Sequence, residues 1–245
     1  TIGAGGLVFM TGNTSMLMSV VQSLHDMLSD FVLITIPLFM LMAELLSSAG
    51  FIPDLYESIE KFTGRVKGSI AFATIVASAI FAAVCGSSYV TAATLAKMTI
   101  PEMLDRGYRQ SLTAGSVAAG GTLGILIPPS LAMVIYGYMS GASIAKLFIA
   151  GIVPGIVLTV LFIIVISIWV NVDPNAAALG KIVSWGDKFH SAAKTIPVMA
   201  LAVFLLIIIY MGVTTPAEAA AMGCIFALGL CVAYGRFRWK ALLDS

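Results

Sequence analysis

Charged side chains are scarce in this 245-residue sequence, in which Asp, Glu, Lys and Arg together account for 10% of the residues. Soluble domains carry about 25%. Hydrophobic residues make up 60% of the chain, and the mean hydropathy is +1.04. So few charges cannot cover a folded surface in water, which excludes a soluble enzyme, a nucleic-acid-binding protein and a disordered protein. The composition predicts a polytopic helical membrane protein.

Cysteine is also rare, and recognisable catalytic motifs are missing. The three cysteines, Cys85, Cys224 and Cys231, lie in apolar runs without metal-ligand spacing. Cys224 and Cys231 are seven residues apart on one predicted helix. Their separation of about 10 Å is too far for a disulfide. We therefore expect three buried thiols. Because nucleophile-elbow, zinc-protease and P-loop patterns are all missing, we expect neither an enzyme nor a cofactor.

Runs without Asp, Glu, Lys or Arg define the expected membrane segments, each of which needs about 20 apolar residues. These runs cover 1–25, 31–43, 68–96, 110–145, 147–172, 195–217 and 219–235. Run 110–145 is too long for one simple helix, and it contains a glycine cluster followed by Pro128-Pro129. We therefore expect a broken helix there. Segment 53–62 is amphipathic and predicts a short interfacial helix.

Basic residues set the expected orientation, because they are enriched in cytoplasmic connections. Four clusters, at 61–67, 106–109, 181–194 and 236–240, hold 11 of the 13 basic residues. One threading places all four clusters in the cytoplasm. In it, 1–24 exits, 30–49 enters, 68–105 goes in and returns, 110–142 exits, 145–171 enters, 195–213 exits and 217–235 enters.

Segment 68–105 has two basic ends on one side of the membrane and a small, hydroxyl-rich middle at 85–91. It could form two full spans joined by a tight outer turn, or a re-entrant hairpin with its tip inside the membrane. Each arm has about 15–18 residues, which is short for a full span. Lys97 would also be costly if it faced lipid. Both observations favour the re-entrant hairpin.

The glycine cluster and the double proline suggest an ion site. Proline lacks an N–H and clashes with the preceding helical turn, so we expect unwinding that frees carbonyls between Gly120 and Ile127. Together with nearby hydroxyls these oxygens suit a dehydrated Na⁺. The alternative is that the small residues only allow helices to pack closely. The expected ion ligands are Ser87, Ser88, Gly120, Thr122, Gly124 and Pro128, and the expected substrate-binding residues are Gly86, Ser88, Thr91 and Ser130.

An ordered set of motifs over about residues 30–240 resembles the large membrane subunit of tripartite ATP-independent periplasmic (TRAP) transporters, the DctM-like family. The strongest motif is Gly124-Ile-Leu-Ile-Pro-Pro-Ser130 followed by Met133-Val-Ile-Tyr-Gly137. The others are Ile36-Pro-Leu-Phe39, Ala43-Glu-Leu45, Ile80-Phe-Ala82, Cys85-Gly-Ser-Ser88, Ser143-Ile144, Lys146-Leu-Phe-Ile-Ala-Gly-Ile-Val-Pro-Gly155 and Thr215-Pro-Ala-Glu-Ala-Ala-Ala221.

The resemblance implies an all-α integral membrane fold with a re-entrant hairpin and a broken helix, forming half of an elevator-type transporter. It implies a small membrane subunit and a periplasmic substrate-binding protein as partners, in the bacterial inner membrane. Import of organic acids such as C4-dicarboxylates, driven by a Na⁺ gradient, would be the function. The corresponding regions are scaffold helices at 1–67, a transport region at 68–142 (hairpin 68–105, broken helix 110–142), a span and connection at 143–194, and the start of a second inverted repeat at 195–245.

Two departures from the family pattern bear on function. Many members carry an aspartate shortly after the tip serine, whereas Tyr89-Val-Thr-Ala92 has none. The substrate of a family member therefore does not carry over to this chain. A full family chain is nearly twice as long, so we expect a fragment that does not transport alone. Two alternatives remain, namely an elevator transporter that needs no binding protein, and a non-transporting scaffold subunit.

Overall fold

The computed structural model describes residues 30–180 and 184–237, together with Met18, Val21 and Gln22. Almost all of the predicted first span therefore lies outside the described residues. A 3₁₀ turn at Phe31–Ile34 leads into nine helices. They are α1 Thr35–Ser48, α2 Phe51–Thr63, α3 Ser69–Cys85, α4 Ser88–Asp105, α5 Gln110–Leu126, α6 Leu131–Ser140, α7 Ile144–Val172, α8 Trp185–Tyr210 and α9 Pro216–Ala233.

The chain is an all-α integral membrane protein. Within the described residues, five helical segments are long and apolar enough to cross a membrane: Phe31–Ser48, Gln110–Ser140, Ile144–Val172, Trp185–Tyr210 and Pro216–Ala233. The broken helix predicted for 110–142 is confirmed, since α5 and α6 are separated at 127–130. The helix predicted for 53–62 is confirmed as α2, whereas its position at the membrane interface stays a prediction.

Helix ends follow the local sequence. The Asp30 carboxylate accepts a hydrogen bond from the Val32 N–H at 2.8 Å and starts the first helical segment. The Thr215 hydroxyl accepts from the Glu218 N–H at 3.3 Å, and the Glu218 carboxylate accepts from the Thr215 N–H at 2.7 Å. This reciprocal pair is a capping box, and it satisfies two backbone amides at the start of α9.

Helices α1 and α9 pack side by side and run in the same direction. The Cys224 thiol donates to the Leu38 carbonyl at 2.9 Å, and the Cys231 thiol donates to the Leu45 carbonyl at 3.4 Å. From the first of these bonds to the second, the position advances by seven residues on each helix. The helices are therefore parallel, as the threading of 30–49 and 217–235 requires. All three cysteines are free and buried.

The start of α3, the start of α5 and the end of α7 lie at one end of the bundle. The Arg109 side chain forms an ion pair with Asp173. The Gly68 N–H donates to the Ala178 carbonyl at 3.3 Å, and the Arg109 N–H donates to the Ala176 carbonyl at 3.0 Å. This end carries two of the predicted basic clusters. The threading places the hairpin base and the end of α7 on the cytoplasmic side, and the structure agrees in bringing them together.

Residues 173–180 form a strap that fastens the end of α7 to the hairpin base. Ala176 is fully buried, and Lys67 and Leu179 form an isolated antiparallel bridge. Gly180 fills a narrow space, because a Cβ placed on it would overlap the Gly64 carbonyl oxygen and lie 2.5 Å from the Ser69 Oγ. The strap therefore holds α3, α5 and α7 together at this end.

Helix α2 is attached to the same base by charge. The Arg106 guanidinium, just after α4, bonds to Glu60 of α2 at 2.7 Å and also to Glu102. Burial is the main cause that raises the pKa of Tyr56 on α2, and the nearby Glu102 and Glu60 carboxylates act in the same direction. The ring therefore stays neutral beside the ion pairs.

Replacing Gly180 by Ala is expected to lower the free energy of unfolding by about 1–3 kcal/mol, the usual range for overpacking a filled site. Thermal unfolding of the purified protein measures it. Gly186→Ala is the matched control, because the nearest atom to its added Cβ is the Ser184 Oγ at 3.8 Å. Equal stability of the two variants would contradict a tightly fitted strap.

Candidate functional site

The hairpin tip is a two-residue turn between α3 and α4. Gly86 has φ +62°, a left-handed conformation that favours glycine, and its N–H donates to the Ala82 carbonyl at 2.9 Å. Ser87 is extended, and its hydroxyl accepts from the Val90 N–H at 3.5 Å as the N-cap of α4. The amides of Ser88 and Tyr89 open α4 and have no intrahelical acceptor. The tip therefore presents polar backbone groups without a charged side chain.

The break between α5 and α6 covers Ile127 to Ser130. The Ile127 N–H still closes the last α5 turn on the Leu123 carbonyl at 2.9 Å. The next two helical donors would be residues 128 and 129, which are prolines and have no N–H. The carbonyls of Gly124 and Ile125 therefore lose their usual helical partners, and the peptide bond between the two prolines is cis.

The tip and the break are in direct contact. The Leu131 N–H, which opens α6, donates to the Gly86 carbonyl at 3.0 Å. A Cβ on Gly124 would lie 2.8 Å from the Ser87 carbonyl carbon and from the Ser88 nitrogen, so only glycine permits this approach. The C-terminal ends of α3 and α5 thus meet the N-terminal ends of α4 and α6.

Such a meeting of helix ends offers both kinds of backbone group. Helix C-termini present carbonyl oxygens that attract cations, and helix N-termini present N–H groups that attract anions. We call residues 86–88 and 124–131 the helix-end junction. No Asp, Glu, Lys or Arg occurs in either segment. Polarity at the junction therefore comes from backbone groups and hydroxyls.

Glycines set the distance between α5 and the hairpin arms. A Cβ on Gly120 would lie 2.9 Å from the Ser78 Cβ on α3. A Cβ on Gly121 would lie 2.7 Å from the Ala92 Cβ on α4. Both contacts match the close-packing interpretation of the glycine cluster. Close packing at Gly120 and Gly121 is what brings Gly124 against the tip.

The extent of the break differs from the prediction. We expected freed carbonyls from Gly120 onward, but α5 continues to Leu126. Gly120 and Thr122 therefore lie inside a regular helix, and the predicted unwinding at Gly120 is wrong. The reason is that glycine lowers helix propensity by only about 1 kcal/mol, whereas the prolines remove donors outright.

The side chains of the predicted site residues have different surroundings. Thr91 is fully buried, and its Oγ1 lies 3.1 Å from the Cys85 Sγ across the hairpin, which does not fit contact with substrate. Thr122 is exposed and its hydroxyl donates to the Ala119 carbonyl at 2.7 Å. Ser87 and Ser88 are half-buried, whereas Gly86 and Pro128 are buried.

Ser130 is the most informative of the predicted residues. It is fully buried at the N-cap position of α6, and its hydroxyl makes no capping bond. Its Oγ is one of the buried side-chain atoms that have no hydrogen-bond partner among the described residues. A buried hydroxyl without a partner costs free energy, so this atom is available to a ligand at the junction.

Sequence reasoning missed the contribution of α7. A Cβ on Gly151 would lie 2.5 Å from the Leu126 carbonyl oxygen, and one on Gly155 would lie 2.8 Å from the Ile127 Cγ1. These two glycines let α7 pack directly on the break. Their four-residue spacing in an apolar run is the small-xxx-small pattern of close membrane-helix contacts and could have indicated them.

The depth of the tip supports the re-entrant hairpin over two full spans. The ten residues of α6 extend about 15 Å beyond the break. α6 follows α7 back to its start, since Met133 lies at Gly151 and Ile144 lies at Gly137. The tip touches the break and therefore ends well short of the far end of the α6–α7 pair.

The fold and the junction define a class, namely membrane proteins in which a helical hairpin meets a broken span. Sequence comparison matches residues 2–245 to the family described as "Tripartite ATP-independent periplasmic transporter, DctM component". The chain belongs to this family, whose members are transporters rather than enzymes and are proteins of the bacterial inner membrane.

Individual relatives agree with this assignment. The C4-dicarboxylate TRAP transporter large permease protein DctM of Pseudomonas aeruginosa is 36% identical over 165 residues, covering 67% of this chain and 39% of the relative. The ectoine TRAP transporter large permease protein TeaC of Halomonas elongata is 33% identical over 189 residues, covering 75% and 43%. The isethionate TRAP transporter permease protein DctMQ of Oleidesulfovibrio alaskensis is 38% identical over 150 residues, covering 61% and 24%. This chain thus matches less than half the length of each relative.

Gly124→Ala is expected to push the tip away from the break and to lower the free energy of unfolding by about 1–3 kcal/mol. Gly115→Ala is the matched control on the same helix, because its Cβ would meet nothing within 4 Å. Since alanine favours helix, that control should stabilise by up to about 1 kcal/mol. Thermal unfolding of both variants checks the pair. Equal effects would show that the tip does not pack on Gly124.

Proposed function

We propose that this chain supplies one half of the ion and substrate machinery of a TRAP large permease, and that the helix-end junction binds Na⁺. The observation that carries the proposal is the contact between tip and break, where the Leu131 N–H meets the Gly86 carbonyl at 3.0 Å. It brings uncompensated carbonyls and hydroxyls to one place in the membrane, where irregular backbone is tolerated only inside protein or beside water.

The donor set suits a sodium ion. The available groups are the carbonyls of Gly124 and Ile125, the hydroxyl of half-buried Ser88 and the unpartnered hydroxyl of buried Ser130. Hard monovalent and divalent cations prefer such oxygen ligands. A dehydrated monovalent ion is the better match, because no carboxylate lies in the junction to balance a second charge.

The same junction has N–H groups for an anionic substrate. The amides of Ser88 and Tyr89 open α4 beside the bound ion, and helix N-termini favour carboxylate groups. A cation on the carbonyl side would raise anion affinity on the amide side. We propose organic-acid import coupled to Na⁺ on this basis, with a C4-dicarboxylate as one candidate.

Partners and substrate range follow from the relatives. Their names give C4-dicarboxylate, ectoine and isethionate as substrates, so the substrate of this protein is left open within small polar organic molecules. We propose a small membrane subunit and a periplasmic binding protein as partners. One relative is named DctMQ, which agrees with a fused permease in that protein.

Na⁺ is expected to raise the midpoint of thermal unfolding of the complete large subunit, whereas K⁺ at the same ionic strength is not. Ser130→Ala should raise the half-saturating Na⁺ concentration about tenfold, as expected for the loss of about 1.4 kcal/mol of binding free energy at one ligand. Ser140→Ala is the control, since that exposed hydroxyl donates to the Tyr136 carbonyl at the far end of α6. An unchanged Na⁺ response in Ser130→Ala would contradict the assigned ligand.

Uptake measurements separate the function from its alternatives. The complete large subunit, reconstituted with its small subunit and binding protein, should import an organic acid only with a Na⁺ gradient, and Ser88→Ala should slow it. Uptake without a binding protein would indicate a different elevator transporter. Lack of uptake by a folded, assembled complex for every organic acid tested would favour a scaffold subunit.

A further inference from the structure

The first turns of α8 lie at the membrane surface rather than in its core. The 26 residues of α8 span about 39 Å, which exceeds the hydrocarbon thickness of about 30 Å. The charged residues of α8 are Asp187, Lys188 and Lys194, and its apolar run begins at Thr195. Residues 185–194 therefore occupy the headgroup layer, on the side that carries the basic clusters.

These turns pack against the C-terminal half of α2. The Lys61 ammonium donates to the Ser191 Oγ at 2.9 Å. One turn further out, the Lys188 Nζ lies 3.6 Å from the Cβ position of Gly64. Two chain segments distant in sequence, 61–67 and 185–194, thus form one continuous surface.

The outward side of α8 carries two large aromatic side chains here, beside the exposed Asp187 and Lys194, and two hydroxyl residues face inward. Trp185 is 69% exposed and Phe189 is 65% exposed, whereas Ser191 and Thr195 are buried. Val66, in the loop after α2, is also exposed. Large aromatic side chains that face outward next to charged ones at this depth are typical of the membrane interface.

The same surface carries an excess of positive charge. Segments 57–67 and 184–194 contain five basic and three acidic residues. One of the three carboxylates, Glu60, is bonded to Arg106. A second, Glu57, accepts from Lys61, which lowers the pKa of that carboxyl, and Lys194 acts in the same direction from α8.

Four basic side chains of these segments are left for an external partner. Within the described residues, Arg65, Lys67, Lys188 and Lys194 form no ion pair with a carboxylate. The Lys188 Nζ lies 4.8 Å from the centre of the Trp185 ring, a cation–π contact that fixes the ammonium at the outer surface. Aromatic rings beside unpaired cations at headgroup depth match the two parts of a phospholipid, its acyl chain and its phosphate.

We propose that this surface binds the headgroup of an anionic phospholipid of the cytoplasmic leaflet. The basic–aromatic face consists of Arg65, Val66, Trp185, Lys188, Phe189 and Lys194. The cations bind the lipid phosphate, and the apolar side chains contact the upper acyl chain. The site is independent of the sodium proposal, because it lies at the bundle end opposite the hairpin tip.

The test uses the complete large subunit in vesicles of phosphatidylglycerol and phosphatidylcholine, with a trace of either lipid spin-labelled. Electron paramagnetic resonance gives the fraction of each lipid immobilised by the protein. The wild type should prefer phosphatidylglycerol. Arg65→Gln combined with Lys194→Gln should lower that preference about fivefold, because each surface cation contributes to attraction of anionic lipid.

A matched control removes two charges elsewhere. Lys97→Gln combined with Lys146→Gln changes two exposed lysines outside the basic–aromatic face and should leave the preference unchanged. An equal loss in both double variants would contradict the proposal, because it would indicate attraction by net charge alone. In the wild type, about 1 M KCl should abolish the preference through screening. Preference that persists at that salt concentration would also contradict it.

Discussion

The contact between Gly124 and the Ser87–Ser88 backbone sets how closely the hairpin tip approaches the broken span. A Cβ at this position would lie 2.8 Å from two backbone atoms of the tip, so any other side chain would separate the hairpin from the broken span. Because the contact exists, the Leu131 N–H reaches the Gly86 carbonyl, and four helix ends meet inside the membrane. Chemistry then follows from backbone dipoles, without a charged side chain in the junction.

The remaining elements hold this junction in place from both sides. On α7, Gly151 and Gly155 admit the break, while at the other end the strap and the Arg109–Asp173 ion pair fasten α7 to the hairpin base. Helix α2 joins that base through Arg106 and also contacts the first turns of α8. The proposed sodium site and the proposed lipid surface thus lie at opposite ends of one packed unit.

Much of the fold could be predicted because the signals were local and strong. Spans follow from the absence of charge, and the break follows from two consecutive prolines. The sequence could not give the extent of unwinding, which depends on neighbours: α3 and α4 pack against Gly120 and Gly121 and keep α5 helical to Leu126. Nor could it separate the hydroxyls, since Thr91 bonds inside the hairpin while Ser130 is left without a partner.

In the proposed function, tip and break form one cation site. Hydrogen–deuterium exchange of the complete large subunit, compared in Na⁺ and in K⁺ at equal ionic strength, tests it most directly. Na⁺ should slow exchange in residues 86–91 and 127–131 together, and over the same concentration range. Protection of one segment without the other, or equal exchange in both salts, would contradict it.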